Sequence, residues 1–230
     1  MKIPIIFVAL DCSDEFEAEN IISKLTPEFC GIKIGKEIFT ALGPKIVDYV
    51  HNKGFKVFLD LKFHDIPNTV KKACHNASNL GVYMINVHAL GGTEMMLSAK
   101  EGVYMSNNTP TLIGVTILTS HNQKNLYDIG FEKKIGNQIG LLAKNVAKCK
   151  LDGVVCSASD LEMLKPILPK RFHFITPGIR LESSNKDDQE RITTPLKAKN
   201  MGSTSLVIGR PITEAKNPLT ILQKIYTQIN

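Results

Sequence analysis

The fold is most clearly indicated by residues 56–87: KVFLDLKFHDIPNTVKKACHNASNLGVYMINV. The apolar run at 56–61 predicts a buried strand, and residues 70–80 repeat apolar side chains at helical spacing. The run at 82–87 predicts a second strand. A strand, a helix and a strand in this order form a βαβ unit with parallel strands. The segment therefore favours an α/β protein with a parallel sheet.

The same alternation continues along the chain. Strands are predicted at 5–10, 31–34, 56–61, 82–87, 112–117, 153–156, 173–175 and 205–208, and amphipathic helical windows include 15–25, 37–52, 70–80, 135–148 and 161–168. Eight such units in 230 residues fit one closed (β/α)8 TIM barrel near the lower end of that fold's size. An open doubly wound sheet is the alternative, but no G-x-G-x-x-G follows the first strand.

Composition narrows the class of protein. The chain has 43% hydrophobic and 22% charged residues, as ordinary globular proteins do, and no linker divides it, so we expect one catalytic domain over 1–230. The net charge of +6 comes from scattered lysines, which favours solvated surface or an anionic small substrate over a nucleic-acid partner. Five cysteines without paired spacing indicate reduced thiols, and no metal motif is present. The apolar runs are too short to span a membrane, so we expect a cytoplasmic protein.

Polar residues recur where the predicted strands end. They are Asp11, Lys33, Asp60, Lys62, His88, Thr119, Ser120, Ser157, the segment 177–180, Gly209 and Arg210. In a (β/α)8 barrel all of these positions converge on the C-terminal mouth, where such enzymes keep their active sites. The register of polar residues with strand ends therefore predicts an active site at this mouth.

Four of these residues carry charge. Side chains alternate along a strand, so Asp60 and Lys62 share one face, which we expect to point into the mouth. Lys33 lies between two isoleucines and Asp11 follows the first strand, so both should point to the same volume. Opposite charges about 4 Å apart attract by about 4 kcal/mol at an effective dielectric near 20, which can hold all four ionised. A structural ion-pair network is one interpretation. The other is a site in which a lysine stabilises a developing carbanion and then protonates it.

The last two strand ends predict an anion site. Thr-Pro-Gly-Ile-Arg stands at 176–180 and Ile-Gly-Arg-Pro-Ile-Thr at 208–213, after the seventh and eighth strands. These loops form the usual phosphate site of the barrel, and Arg210 could bind phosphate oxygens bidentately. Residues 181–194 are polar and without an apolar stripe, which predicts a mobile loop that could act as a lid. Gln189 on this loop could close over the phosphate, although a solvated side chain is the simpler interpretation.

Residues 59–70, Leu-Asp-Leu-Lys-Phe-His-Asp-Ile-Pro-Asn-Thr-Val, closely resemble the signature of the orotidine 5′-phosphate decarboxylase family. The pattern D-x-K-x-x-D-I-P-N-T is specific to that family. The resemblance extends along the chain, through Val-Ala-Leu-Asp at 8–11, Ile-Lys-Ile-Gly at 32–35, Val-His-Ala at 87–89 and Leu-Thr-Ser at 118–120. It continues through the loops at 176–180 and 207–213, in the order and spacing of a bacterial-type member.

The resemblance implies a role for each matching residue. Asp60 would lie against the substrate carboxylate, Lys62 would donate a proton to C6 of the pyrimidine, and Lys33 and Asp11 would hold the ribose hydroxyls. Thr119 or Ser120 would contact the pyrimidine ring. The substrate phosphate would be bound by Pro177, Arg180, Gln189, Gly209 and Arg210.

The resemblance also implies a homodimer in which Asp65, Ile66 and Thr69 reach into the partner's site. It implies decarboxylation of orotidine 5′-phosphate to uridine 5′-phosphate, the last step of de novo synthesis of that nucleotide, without metal or organic cofactor. A Mg²⁺-dependent sugar-phosphate decarboxylase of the same superfamily is the nearest alternative, but those enzymes place a carboxylate where Lys33 stands. An inactive barrel that only binds nucleotides is a third possibility, and the complete set of four charged residues argues against it.

Overall fold

Within the described residues, eight parallel strands form one closed barrel in chain order, and the last strand pairs with the first. The structure is a computed structural model that describes residues 4–181 and 192–230. The strands are β1 (Ile5–Leu10), β2 (Gly31–Gly35), β3 (Val57–Phe63), β4 (Met84–His88), β5 (Thr111–Val115), β6 (Gly153–Val155), β7 (His173–Thr176) and β8 (Ser205–Ile208). The closed barrel confirms the predicted fold class and excludes the open sheet.

Helices lie between the strands and cover the outside of the barrel. They are α1 (Glu15–Ser23), α2 (Lys36–Leu42), α3 (Lys45–Asn52), α4 (Pro67–Asn79), α5 (Gly92–Tyr104), α6 (Gln123–Asp128), α7 (Ile135–Lys148), α8 (Leu161–Leu164), α9 (Pro195–Met201), α10 (Arg210–Thr213) and α11 (Pro218–Ile229). Short 3₁₀ turns stand at Ala89–Gly91, Ala158–Asp160 and Lys165–Ile167. In the part of the chain described, no helix has the length and apolar composition of a membrane span.

Two helical windows differ from the sequence prediction. The window 37–52 is two helices, because Gly43 takes a left-handed φ of 62° and Pro44 begins the next helix without a backbone N–H. The window 161–168 is one turn of α8 followed by a 3₁₀ turn. Helix α5 lies outside the windows predicted from the sequence. Its Gly102 packs against the backbone of Lys71 on α4, where any Cβ would overlap the Lys71 carbonyl oxygen.

Both faces of the barrel sheet are buried. The outward face packs against the helices in one large core, which includes Val8, Ile34 and Leu59. The inward face forms a smaller apolar layer of Phe7, Ala9, Phe58, Met84, Ile113, Ile175 and Val207. This layer fills the barrel as in other (β/α)8 proteins. Polar side chains at the carboxyl ends of the strands therefore stand on an apolar floor.

Candidate active site

A cavity of about 440 Å³ opens at the carboxyl ends of the strands. Small-molecule sites commonly occupy about 300–1,000 Å³. The inner apolar layer supplies the floor, including Ala9, Phe58 and Ile175. The polar or loop residues of the lining are Asp11, Lys33, Lys36, Asp60, Lys62, Thr119, Ser120, Pro177, Gly178, Arg180, Gly209 and Arg210. Most of the site residues predicted from the sequence thus meet in one cavity.

Four charged side chains form a continuous chain of alternating sign along one wall. Lys33 Nζ lies 3.1 Å from Asp11 Oδ1 and 3.5 Å from Asp60 Oδ2. Lys62 Nζ donates to Asp60 Oδ1 at 2.8 Å. The side chains of Lys33 and Asp60 are 9% and 11% exposed, whereas Lys62 is 27% and Asp11 62% exposed. The chain therefore runs from a buried centre to two ends that solvent or a ligand can reach.

The buried centre of this chain is ionised. Burial alone would lower the pKa of Lys33, but attraction to Asp60 and Asp11 outweighs burial, and the pKa of Lys33 is raised. Burial alone would raise the pKa of Asp60, but Lys33, Lys62 and a hydrogen bond from Asn86 outweigh it, and the pKa of Asp60 is lowered. Asp60 is therefore a carboxylate, and Lys33 an ammonium, at neutral pH.

Lys62 lies in an irregular part of β3. The pairing of β3 with β4 is regular at Leu59–Ile85 but resumes only at Phe63–Val87, so three residues of β3 oppose one residue of β4. Within this bulge Lys62 has a left-handed φ of 51°. For a residue with a Cβ this conformation costs about 1–2 kcal/mol. Asp60 and Lys62 both line the mouth, on the face that strand alternation predicts, and the bulge changes the backbone pairing at Lys62.

Asn86 is a residue of the site that the sequence analysis missed. It is the β4 residue opposite the bulge, and its side chain is completely buried. Its Nδ2 donates to Asp60 Oδ1 at 2.6 Å, and its Oδ1 accepts the Lys62 backbone N–H at 2.7 Å. The available signal was its place between Met84 and His88, on the inward face of an otherwise apolar strand.

Two arginines lie across the cavity from Asp60 and Lys62. Arg180 follows β7, which is four strands from β3 in either direction around the barrel, and Arg210 follows β8. Gly178 has a φ of 73°, which favours glycine, and its carbonyl accepts the Thr193 N–H at 3.1 Å. The Arg180 N–H donates to the Thr193 carbonyl at 2.9 Å, so these bonds tie the β7 loop to the chain before α9. Gln189 lies outside the described residues, as does most of the predicted lid.

Thr119 and Ser120 follow β5 and line the cavity. Thr119 is 8% exposed, whereas Ser120 is an exposed residue. Both residues therefore lie beside the apolar floor on which a ligand would rest. The sequence left open which of the two makes the main contact, and both residues line the cavity.

Asp65, Ile66 and Thr69 do not line this cavity. They are exposed on the loop after β3 and the start of α4, and Ile66 is 67% exposed. The Asp65 carboxylate accepts the N–H of Ile66 at 2.6 Å. If these residues contribute to catalysis, they do so at a surface beside the protein's own cavity.

His88 ends β4 and Ser157 follows β6, as predicted, but neither residue lines the cavity. The ring of His88 stacks on His64 with centroids 5.4 Å apart, and burial, followed by the charge of His64, lowers the pKa of His88 to about 4. Ser157 is buried, and its backbone N–H donates to Asp160. Among residues 4–181 and 192–230, no three His, Cys, Asp or Glu side chains form a potential metal site.

The fold and the cavity together define a class of protein: a (β/α)8 barrel whose C-terminal mouth holds an alternating Asp–Lys array and two arginines. The family model described as "Orotidine 5′-phosphate decarboxylase / HUMPS family" matches residues 4–225. The chain belongs to this family.

Curated relatives and solved structures agree with this assignment. The orotidine 5′-phosphate decarboxylase of Saccharophagus degradans is 46% identical over 98% of this chain and 95% of its own length. The enzyme of the same name from Idiomarina loihiensis is 47% identical over 100% and 99%. The crystal structure of orotidine 5′-phosphate decarboxylase from Lactobacillus acidophilus superposes with a TM-score of 0.88, at 36% identity, and covers 100% of both chains.

Proposed function

We propose that the protein decarboxylates orotidine 5′-phosphate to uridine 5′-phosphate and CO2, the last step in the synthesis of that nucleotide. The observation that carries this proposal is the array Asp11–Lys33–Asp60–Lys62, with its buried centre, on one wall of a cavity that also holds Arg180 and Arg210. A nucleotide with a carboxylate on its base and a phosphate on its ribose has anionic groups at both ends. The family and its named relatives are consistent with this substrate.

The cavity orients this substrate from its two ends. The 5′-phosphate binds Arg180 and Arg210 beside Pro177 and Gly209, in the loops where barrels of this type commonly bind phosphate. Gln189 would close over it. The base then lies on the apolar floor with its C6 carboxylate toward Asp60 and Lys62. Lys33 and Asp11 hold the ribose hydroxyls, and Thr119 or Ser120 contacts the ring.

The reaction follows from the charges. The C6–carboxylate bond breaks, CO2 leaves, and the electron pair remains on C6. The ammonium of Lys62 stabilises the developing carbanion and then transfers a proton to C6, which leaves Lys62 as a neutral amine that solvent reprotonates. Asp60 is ionised, so its carboxylate repels the substrate carboxylate, and this repulsion is relieved as neutral CO2 departs.

The active site of this proposal is completed in a homodimer. Asp65, Ile66 and Thr69 lie outside the protein's own cavity, and an exposed apolar residue such as Ile66 suits a contact with a second copy. In a dimer with twofold symmetry, each subunit would place these three side chains at the mouth of the other. The five cysteines are buried and not joined in disulfides, which suits a reducing compartment, and we place the reaction in the cytoplasm.

The position of Lys33 opposes the Mg²⁺-dependent alternative. Its ammonium stands between Asp11 and Asp60, at 3.1 and 3.5 Å, and neutralises the two carboxylates that a divalent cation would need. The two functions therefore differ in their response to a chelator. Decarboxylation of orotidine 5′-phosphate should continue in excess EDTA, and a sugar-phosphate decarboxylase of the Mg²⁺-dependent type would stop.

The direct experiment adds orotidine 5′-phosphate to EDTA-treated protein and follows the loss of orotate absorbance. Lys62→Ala should lose nearly all turnover and still bind uridine 5′-phosphate. Lys53→Ala removes a lysine that lies over the ring of Tyr49, away from the cavity, and serves as the matched control. Wild-type protein without turnover would refute the proposed function. Turnover by Lys62→Ala close to that of wild type would refute only the role of Lys62.

A further inference from the structure

A completely buried side chain of the cavity wall, Asn86, has no part in the chemistry described above. It is held by two hydrogen bonds, one to the Asp60 carboxylate and one from the Lys62 backbone N–H, at 2.6 and 2.7 Å. It therefore touches two of the four charged residues without being charged itself. Asn86 does not line the cavity and has no route to a ligand within it.

The bulge in β3 explains why a side chain is needed at this point. Between Leu59–Ile85 and Phe63–Val87 the regular pairing of β3 with β4 is interrupted, and the Lys62 N–H has no strand partner. A buried N–H without a partner is unfavourable, so an acceptor must come from elsewhere. The Asn86 carboxamide oxygen supplies it, and the Lys62 backbone that it binds has a φ of 51°.

The same carboxamide also fixes the carboxylate. Asp60 Oδ1 accepts from Asn86 Nδ2 and from Lys62 Nζ, while Oδ2 faces Lys33. One rigid planar group thus sets the position of the Asp60 carboxylate relative to the Lys62 backbone. Asparagine meets this requirement because its short side chain carries both an NH2 donor group and a carbonyl acceptor. Leucine offers neither, and an ionised aspartate would repel Asp60.

We propose that Asn86 is a positioning residue that holds Asp60 and Lys62 in the geometry from which C6 is protonated. This inference rests on the proposed decarboxylase function. It assigns Asn86 an effect on the chemical step, not on phosphate binding, because the arginines follow β7 and β8, away from β4. Displacing reacting groups by about 1 Å can cost about 10²-fold in rate.

Two variants of Asn86, to leucine and to aspartate, test the inference against a merely structural role. Asn86→Leu removes both hydrogen bonds, and we expect kcat to fall about 10²-fold while KM changes by less than about threefold. Ser78→Ala is the control. Ser78 is also completely buried, but its hydroxyl donates to the Cys74 carbonyl within α4, away from the cavity, and its loss should leave kcat unchanged.

In Asn86→Asp, the hydrogen bond to Asp60 depends on pH. While the introduced carboxyl group is protonated, it can donate to Asp60 and still accept the Lys62 N–H, as asparagine does. When the proton leaves, two carboxylates face each other and Asp60 is displaced. The charged groups that face this pair are Lys33 and Lys62, and Asp11 lies beyond Lys33. His88, on the same strand as residue 86, is neutral at neutral pH. The kcat of Asn86→Asp relative to wild type should therefore fall as the pH rises from mildly acidic to mildly alkaline.

A third measurement does not depend on activity. Hydrogen exchange of the Lys62 amide, followed by NMR, should be slow in wild type and in Asn86→Asp at acidic pH, and at least about tenfold faster in Asn86→Leu. Should wild type fail to decarboxylate orotidine 5′-phosphate, the proposed function is wrong, and the exchange data still test the positioning role. The inference is overturned by an Asn86→Leu variant with near-normal kcat. It is equally overturned by a pH-independent activity ratio for Asn86→Asp, or by unchanged exchange at Lys62.

Discussion

Asp60→Asn removes the buried carboxylate that joins Lys33 to Lys62. The two ion pairs, at 3.5 and 2.8 Å, correspond to attractions of about 5 and about 6 kcal/mol at an effective dielectric near 20. Most of this attraction offsets the desolvation of the three groups. The measurable quantity is the loss on removing one partner of a buried pair, about 3–5 kcal/mol. Lys33 would remain buried with Asp11, a largely exposed carboxylate, as its nearest remaining counter-charge.

The loss of stability in Asp60→Asn should depend on pH in a defined direction. The pKa of Asp60 is lower in the folded protein than in the unfolded chain, so its contribution to stability is complete above the ordinary carboxyl pKa. The contribution is lost as the pH falls through the folded pKa. The difference in unfolding free energy between wild type and Asp60→Asn should therefore be largest at neutral pH and shrink below about pH 4.

Urea unfolding at fixed protein concentration, repeated across the acidic range, measures this difference. Asp128→Asn is the matched control, because Asp128 pairs with Lys124 at 2.7 Å on the surface and its loss should change stability by less than about 0.5 kcal/mol. Decarboxylation by Asp60→Asn should fall by about 10²-fold or more, since both the repulsion of the substrate carboxylate and the ion pair that positions Lys62 are lost. Equal stability of wild type and Asp60→Asn at neutral pH would refute the reasoning, as would a difference that persists undiminished in acid.

Three further predictions address other parts of the site. Arg210→Ala should weaken binding of uridine 5′-phosphate by about 10- to 100-fold, because the arginine binds the phosphate. Binding of uridine, which has no phosphate, should change little. Equal losses for both ligands in calorimetry would contradict the assignment. If Asp65 acts across a dimer, mixing inactive Lys62→Ala with inactive Asp65→Asn should restore about a quarter of wild-type activity. About half of the dimers are then hybrids, and one of the two sites in each hybrid is intact. Mixtures that stay inactive would argue against shared sites. His88 has a pKa lowered to about 4, so wild type should lose stability as the pH falls from about 6.5 toward that value. His88→Gln should lose less stability over the same range. Parallel curves of unfolding free energy against pH for the two proteins would show that His88 does not titrate in this way.

Much of the fold and of the site could be predicted from the sequence alone. Parallel strands in a closed barrel all end at one mouth, so polar residues at strand ends must meet there whatever the helices do. This rule brought Asp11, Lys33 and Asp60 together correctly, although they are far apart in the chain. It also placed the arginines after β7 and β8 at the same cavity. The signature around Asp60 pointed to the family that the comparisons then showed.

Other features depend on contacts between distant segments, which local patterns do not contain. His88 and Ser157 stand at strand ends as predicted, yet neither lines the cavity, since His88 stacks on His64 and Ser157 bonds to Asp160. Asp65, Ile66 and Thr69 belong to the same signature as Asp60, yet the turn into α4 carries them away from the cavity.

The barrel, its mouth and the identity of the four charged residues follow from the amino-acid sequence, because strand spacing and alternation are local properties of the chain. The hydrogen bonding of the Lys62 backbone depends instead on tertiary pairing. The bulge exists because β3 and β4 pair out of step, and a mismatch between two strands cannot be detected in either strand alone. For the same reason Asn86 was missed in the sequence. Asn86 faces three residues of β3, and its side chain binds the Lys62 N–H and the Asp60 carboxylate there. The role proposed for Asn86 rests on these contacts between strands.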